Sequence, residues 1–88
     1  MAEVIIYTTN YCPYCVKAKD LLKAKGAEYK EIDVTGNDKA REELTAKANG
    51  MKTVPQIFIN GRHIGGYDMT AELDKEGKLD ELLRAKAG

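Results

Sequence analysis

The chain has no surplus of charge: Lys plus Arg and Asp plus Glu stand at 14 each, for a formal net charge of +0. Without a field of one sign, nothing gathers a polyanion or holds an anionic surface, so neither nucleic acid nor membrane is an expected partner. Long apolar runs are also missing. The longest early one, Val4 to Tyr7, falls far short of the ~20 residues of a membrane span. Met1-Ala2-Glu3 lacks the basic segment of a secretory signal, so the expected location is cytoplasmic. Cysteine is scarce, with Cys12 and Cys15 alone, and His63 is the only histidine. Read by itself, such a pair is an inert buried pair, half a zinc site or a redox couple. Beyond His63 the chain offers no further soft ligand to complete a zinc site, so no metal is expected. As a staple the pair would close a very short loop, and stabilisation grows with loop length. Redox chemistry is the reading that remains in a reducing compartment.

What is present fits one modest core. At 88 residues and 43% hydrophobic content, a second independent unit would leave each half too little apolar surface to offset ordering entropy. A single domain over residues 1–88 is expected. The β-branched run from Glu3 to Thr8 reads as a strand buried on both faces. Pro13 suits the first turn of a helix, and Val16, Ala18, Leu21, Leu22 and Lys25 follow at helical spacing until Gly26. Alternation from Glu28 to Val34 predicts a second strand. Thr35 to Asp38 supplies turn and capping residues before a charged helix, Lys39 to Ala48, read as largely solvated. Gln56 to Ile59 and Arg62 to Gly65 flank Asn60-Gly61, the dipeptide best suited to a type I′ hairpin. The rest reads as helix broken near Gly77, with Leu73, Leu79, Leu82 and Leu83 available to the core. The fold class is α/β. Its order, β, α, β, α, hairpin, α, is that of a small thioredoxin fold: a four-stranded mixed sheet flanked by three or four helices.

The chemistry centres on Cys12. A thiolate, not a thiol, attacks disulfides, and a free cysteine near pKa ~8.5 is mostly protonated in neutral cytosol. At the start of the first helix, the Cys12 sulfur would face unpaired N–H groups and the positive end of the helix dipole, both of which favour an anion. One turn further in, Cys15 would be more covered and less acidic. That asymmetry makes Cys12 the attacking sulfur and Cys15 the resolving one.

Three segments carry a family resemblance. Cys12-Pro13-Tyr14-Cys15 after a strand, Thr53-Val54-Pro55 before a strand, and Gly65-Gly66-Tyr67-Asp68 after the hairpin resemble the signature segments of dithiol glutaredoxins, in that family's order and over nearly the whole chain. The resemblance implies a cis bond before Pro55, setting the Val54 backbone beside Cys12. It implies that Thr53 and Val54 pair with the cysteinyl part of glutathione, as in strand addition. Tyr14 would flank the bound thiol and Gly66 would permit close backbone approach. Asp68 would meet the γ-glutamyl amino group, and the first N–H groups of the last helix, Met69 included, would take its carboxylate. Two positions depart from the commoner pattern. Thr9 stands where many relatives carry Lys, leaving Lys17 or Lys19 to supply a cation, and Met69 stands where a polar residue is common.

The activity so implied is reduction of protein disulfides and glutathione–protein mixed disulfides by a monomer. Glutathione serves as reductant and co-substrate, and the partners are disulfide or glutathionylated proteins such as a reductase substrate. Two rivals are a carrier reduced by thioredoxin reductase and a glutathione-ligated iron–sulfur carrier, the latter usually marked by Gly-Phe-Ser after the first cysteine, where this chain has Pro13-Tyr14-Cys15. Other residues have plainer readings. Pro55 also reads as an edge-strand proline, Gly65-Gly66 as a strand exit and Asp68 as a helix N-cap. Tyr7 and Phe58 read as core, Tyr11 and Tyr14 as site residues. His63 reads as a surface or edge residue, and Lys23, Lys25 and the charges from Lys39 to Lys47 as solvated.

Overall fold

Strands β1 (Val4–Thr8), β2 (Lys30–Asp33), β3 (Gln56–Ile59) and β4 (Arg62–Gly65) form a mixed sheet of order β2-β1-β3-β4 in the computed structural model, which describes residues 2–84. Pairing is parallel between β1 and β2 and antiparallel at the other two junctions. Asn60 and Gly61 take φ values of 52° and 79°, the two left-handed residues a type I′ hairpin requires.

Side chains alternate across this sheet, and the two faces are covered by different helices. Val4 and Ile6 lie opposite Ile59 and Ile57, and all four pack with Ala18 and Leu22 of α1 (Pro13–Ala24) and Leu79 of α4 (Lys78–Arg84). Leu73 from α3 (Tyr67–Lys75), with Leu82 and Leu83, closes over the same cluster. On the other face Ile5, Tyr7 and Phe58 meet Leu44 of α2 (Asp38–Lys47) and the adjoining Ala48. Tyr7 and Phe58 contact edge to face at 5.6 Å. Asn37 caps α2, accepting from the Ala40 N–H at 3.0 Å, and Gly77 separates α3 from α4 at φ 76°. This is the thioredoxin fold.

Three sequence expectations need correction. The second strand starts later than expected, at Lys30, and runs to Asp33, with the Val34 N–H still donating to the Thr8 carbonyl at 2.9 Å; Tyr29 packs on the core outside the ladder. Val16 is 53% exposed, since the buried stripe of α1 is Cys15, Ala18 and Leu22, with Leu21 partly buried against the same core. Lys25 is not merely solvated. Its ammonium pairs with Asp74 of α3 and, at 3.2 Å, with Asp80 of α4, tying the end of α1 to both C-terminal helices. A solvent-screened pair of this kind adds little stability, so its value is in orientation.

Candidate active site

Beyond β1 the chain turns toward α1, and that turn is anchored on β2 and the turn that follows it. Thr8 Oγ1 donates to Glu31 Oε2 at 2.7 Å, and the Asn10 N–H donates to Thr35 Oγ1 at 2.9 Å. The Thr8 bond, followed by the Lys19 ion pair, holds the Glu31 carboxyl below its ordinary range. Cys12 then takes extended angles (φ −102°, ψ 110°) as N-cap of α1, with Pro13 as the first helical residue. Its sulfur accepts from the Cys15 N–H at 3.3 Å and lies 3.5 Å from the Val54 carbonyl oxygen. It therefore occupies the cap position of a twelve-residue helix.

Cys15 lies one turn deeper and is 1% exposed. Burial, and next the hydrogen bond to Cys12, push its thiol up from the ordinary 9.0 to about 12. As pH rises past 9 the unfolded chain therefore releases this proton before the folded one does. Stability should fall by about 1.4 kcal/mol per pH unit from this group across that window. Melting temperatures taken between about pH 8 and about pH 10.5 should accordingly drop less steeply for Cys15→Ala than for wild type. Parallel curves would mean that Cys15 ionises as readily folded as unfolded.

Next to Val54, whose carbonyl oxygen faces Cys12 Sγ, runs a groove of about 370 Å³ lined by Tyr14, Thr53, Val54, Pro55, Gly66, Asp68 and Met69, together with Met51 and Tyr67. The Val54–Pro55 peptide is cis. Gly66 approaches the same loop so closely that a Cβ there would stand 3.2 Å from the Pro55 carbonyl oxygen. Three sequence segments thus converge on one depression at the C-terminal end of β1. Gly66, not Asp68, is the N-cap of α3; the helix begins at Tyr67, so Asp68 is already inside its first turn, and no side chain caps it. The Asp68 carboxylate makes no hydrogen bond or ion pair among the described residues. Pro55 is buried at the foot of β3, within the groove wall. A larger depression of about 460 Å³ lies at the opposite end of the sheet, around Ala2, Gly26 and Leu83.

Several flanking residues sort themselves by their contacts. Tyr14, 54% exposed, lies 6.3 Å from the Tyr67 ring, and Lys17 Nζ sits 5.2 Å from the Tyr14 ring centre. Lys19 is engaged with Glu31 at 3.1 Å, which leaves Lys17 as the better placed cation at the rim. Thr9 is buried, its hydroxyl without a partner among the described residues. Tyr11 is 69% exposed and lines neither depression. Met51 and Tyr67 went unrecognised in the sequence. Tyr67 had a signal, lying inside the Gly65-to-Asp68 segment, whereas Met51 follows a helix end with nothing to mark it.

Residues 4–64 match the family profile described as Glutaredoxin. The chain is 51% identical over 85 residues to a glutaredoxin of Pseudomonas aeruginosa, covering 97% of this chain and 100% of that one. Among solved structures, it resembles the glutaredoxin of Brucella melitensis (TM-score 0.85, 50% identity, 96% of this chain and 90% of that one). It also resembles the protein of a buckwheat glutaredoxin–glutathione complex (TM-score 0.87, 34% identity, 93% of this chain and 76% of that one). With its paired thiols, its fold and relatives of this closeness, the chain belongs to the glutaredoxin family of thiol–disulfide oxidoreductases.

Proposed function

We propose that the chain, as one domain over residues 1–88 and as a monomer in the cytoplasm, reduces glutathione–protein mixed disulfides and protein disulfides with glutathione as the electron source. Cys12 acts as the nucleophile. As thiolate it attacks the glutathione sulfur of a mixed disulfide; the bond to the protein sulfur breaks and the protein thiolate leaves, taking a proton from water. A second glutathione thiolate then attacks the glutathione sulfur now bound to Cys12, releasing oxidised glutathione and restoring the Cys12 thiolate. With a protein disulfide, Cys12 forms the mixed disulfide and Cys15, losing its proton, displaces the substrate thiol to give a Cys12–Cys15 disulfide. Two glutathiones reduce that bond.

The observation that carries this reading is the groove itself, which ends beside Cys12 and offers backbone, open helix N–H groups and an unengaged carboxylate to an extended peptide. Thr53 and Val54 present main chain to the cysteinyl residue. The N–H groups at the start of α3, Met69 among them, suit a carboxylate, and Asp68 suits the accompanying ammonium. Tyr14 and Pro55 wall the thiol. The deciding assay couples NADPH oxidation to a small disulfide through either glutathione with its reductase or thioredoxin reductase. Turnover is expected with the first; turnover confined to the second would hand the chain to the rival carrier role. Asp68→Ala should raise KM for a glutathionylated peptide by roughly tenfold with kcat largely kept, the loss of one charge-assisted hydrogen bond. An unchanged KM would remove Asp68 from the binding site.

A further inference from the structure

His63 lies on the edge strand β4, as expected, but both of its ring nitrogens are engaged. Its Nε2 lies 2.7 Å from Gln56 Oε1 and its Nδ1 lies 3.1 Å from Asn49 Nδ2. Gln56 is fully buried, and its own amide nitrogen donates to the Thr53 carbonyl at 2.9 Å and to Thr53 Oγ1 at 3.3 Å. These contacts fix the Gln56 amide and, with the ring neutral, the order of donors. A carbonyl oxygen only accepts, so the Gln56 nitrogen must face Thr53 and its oxygen must face the imidazole. His63 Nε2 must then carry the ring proton, and Nδ1 accepts from Asn49. Donation runs one way, from Asn49 to His63 to Gln56 to Thr53, with no conflict along it.

Strand geometry explains the arrangement. Gln56 and Phe58 are two residues apart on β3 and share a face, and the register places His63 of β4 opposite Phe58, beside a shift between Ile57 and Phe58. The imidazole leans on the Phe58 ring at 5.1 Å, so packing holds its flat side while hydrogen bonds hold both nitrogens. Thr53 sits in a loop outside the regular elements and is followed directly by Val54, whose carbonyl faces the Cys12 sulfur. The Gln56 amide is what ties that carbonyl of Thr53 to the sheet.

We propose that His63 is a positioning residue: by holding the Gln56 amide in one orientation from beneath, it sets the Thr53–Val54 backbone that receives the cysteinyl part of glutathione. This rests on the glutathione reading above. Without the imidazole, the buried Gln56 oxygen has no donor, and the side chain gains by turning away from Thr53.

The test compares wild type, His63→Leu, which keeps bulk against Phe58, Gln56→Met, and the double variant, on a glutathionylated peptide. His63→Leu should raise KM by about five- to tenfold with kcat within about twofold, and the double variant should be no worse than Gln56→Met alone. An unmoved KM, or effects that simply add, would overturn the role. Nitrogen-15 spectra of the wild-type imidazole, with the ring neutral, provide a check that needs no variant and no glutathione. The Nε2–H tautomer is expected, and the Nδ1–H tautomer would break the chain of donors. Wild type that fails to saturate with the glutathionylated peptide would instead sink the glutathione reading, which the tautomer does not depend on.

Discussion

Cys12→Ser should lower turnover on glutathionylated and disulfide substrates alike, by roughly a thousandfold or more. A serine oxygen cannot form the mixed disulfide through which both reactions pass. The remaining sulfur offers no bypass. Cys15 is 1% exposed and its thiol is pushed up to about 12, so it neither reaches an external disulfide nor presents an anion to one. The measurement is the glutathione-coupled assay on a small disulfide, with circular dichroism to establish that the variant is folded. Activity within tenfold of wild type would place the attacking group somewhere other than the N-cap of α1.

Cys15→Ser should separate the two reactions instead of stopping both. Deglutathionylation closes its cycle with a second glutathione and asks nothing of Cys15, so it should continue at a rate within a few-fold of wild type. Reduction of a protein disulfide leaves the substrate bound to Cys12 until a neighbouring sulfur releases it. The Cys15 thiol lies within hydrogen-bonding reach of Cys12, which makes that displacement intramolecular, and its loss should cost on the order of a hundredfold or more. The substrate-linked intermediate should then be trapped and visible as a mass increase on Cys12. Equal loss on both substrates would mean that the two cysteines do not divide the work.

Much of this arrangement was legible along the chain because it depends on local geometry. Pro13 marks a helix start whatever the surroundings, so Cys12 falls at the cap and Cys15 one turn inside. Asn60-Gly61 dictates its own turn through two positive φ angles. Residues misread were those whose neighbours are distant. Val16 has helical spacing like its buried companions, yet α1 is rotated so that Cys15 turns inward and Val16 outward. Lys25 looks like any surface lysine until α3 and α4 bring Asp74 and Asp80 to it. Asp68 looks like a cap because short acidic residues favour that position, but the extended backbone of Gly66 starts α3 two residues earlier.

By itself the sequence determined the element order, the hairpin, the placement of Cys12 at a helix start with Cys15 one turn inside, and the three segments that bear the family's signature, since each rests on a few adjacent residues and their backbone preferences. Only the tertiary structure decided that those segments share one groove: Cys12 Sγ meets the Val54 carbonyl across 42 positions of chain. It alone decided the bonds from Asn49 through His63 and Gln56 to Thr53 as well. Strand register and the packing of Phe58 create that line of donors, and neither leaves a periodic trace in the order of the amino acids.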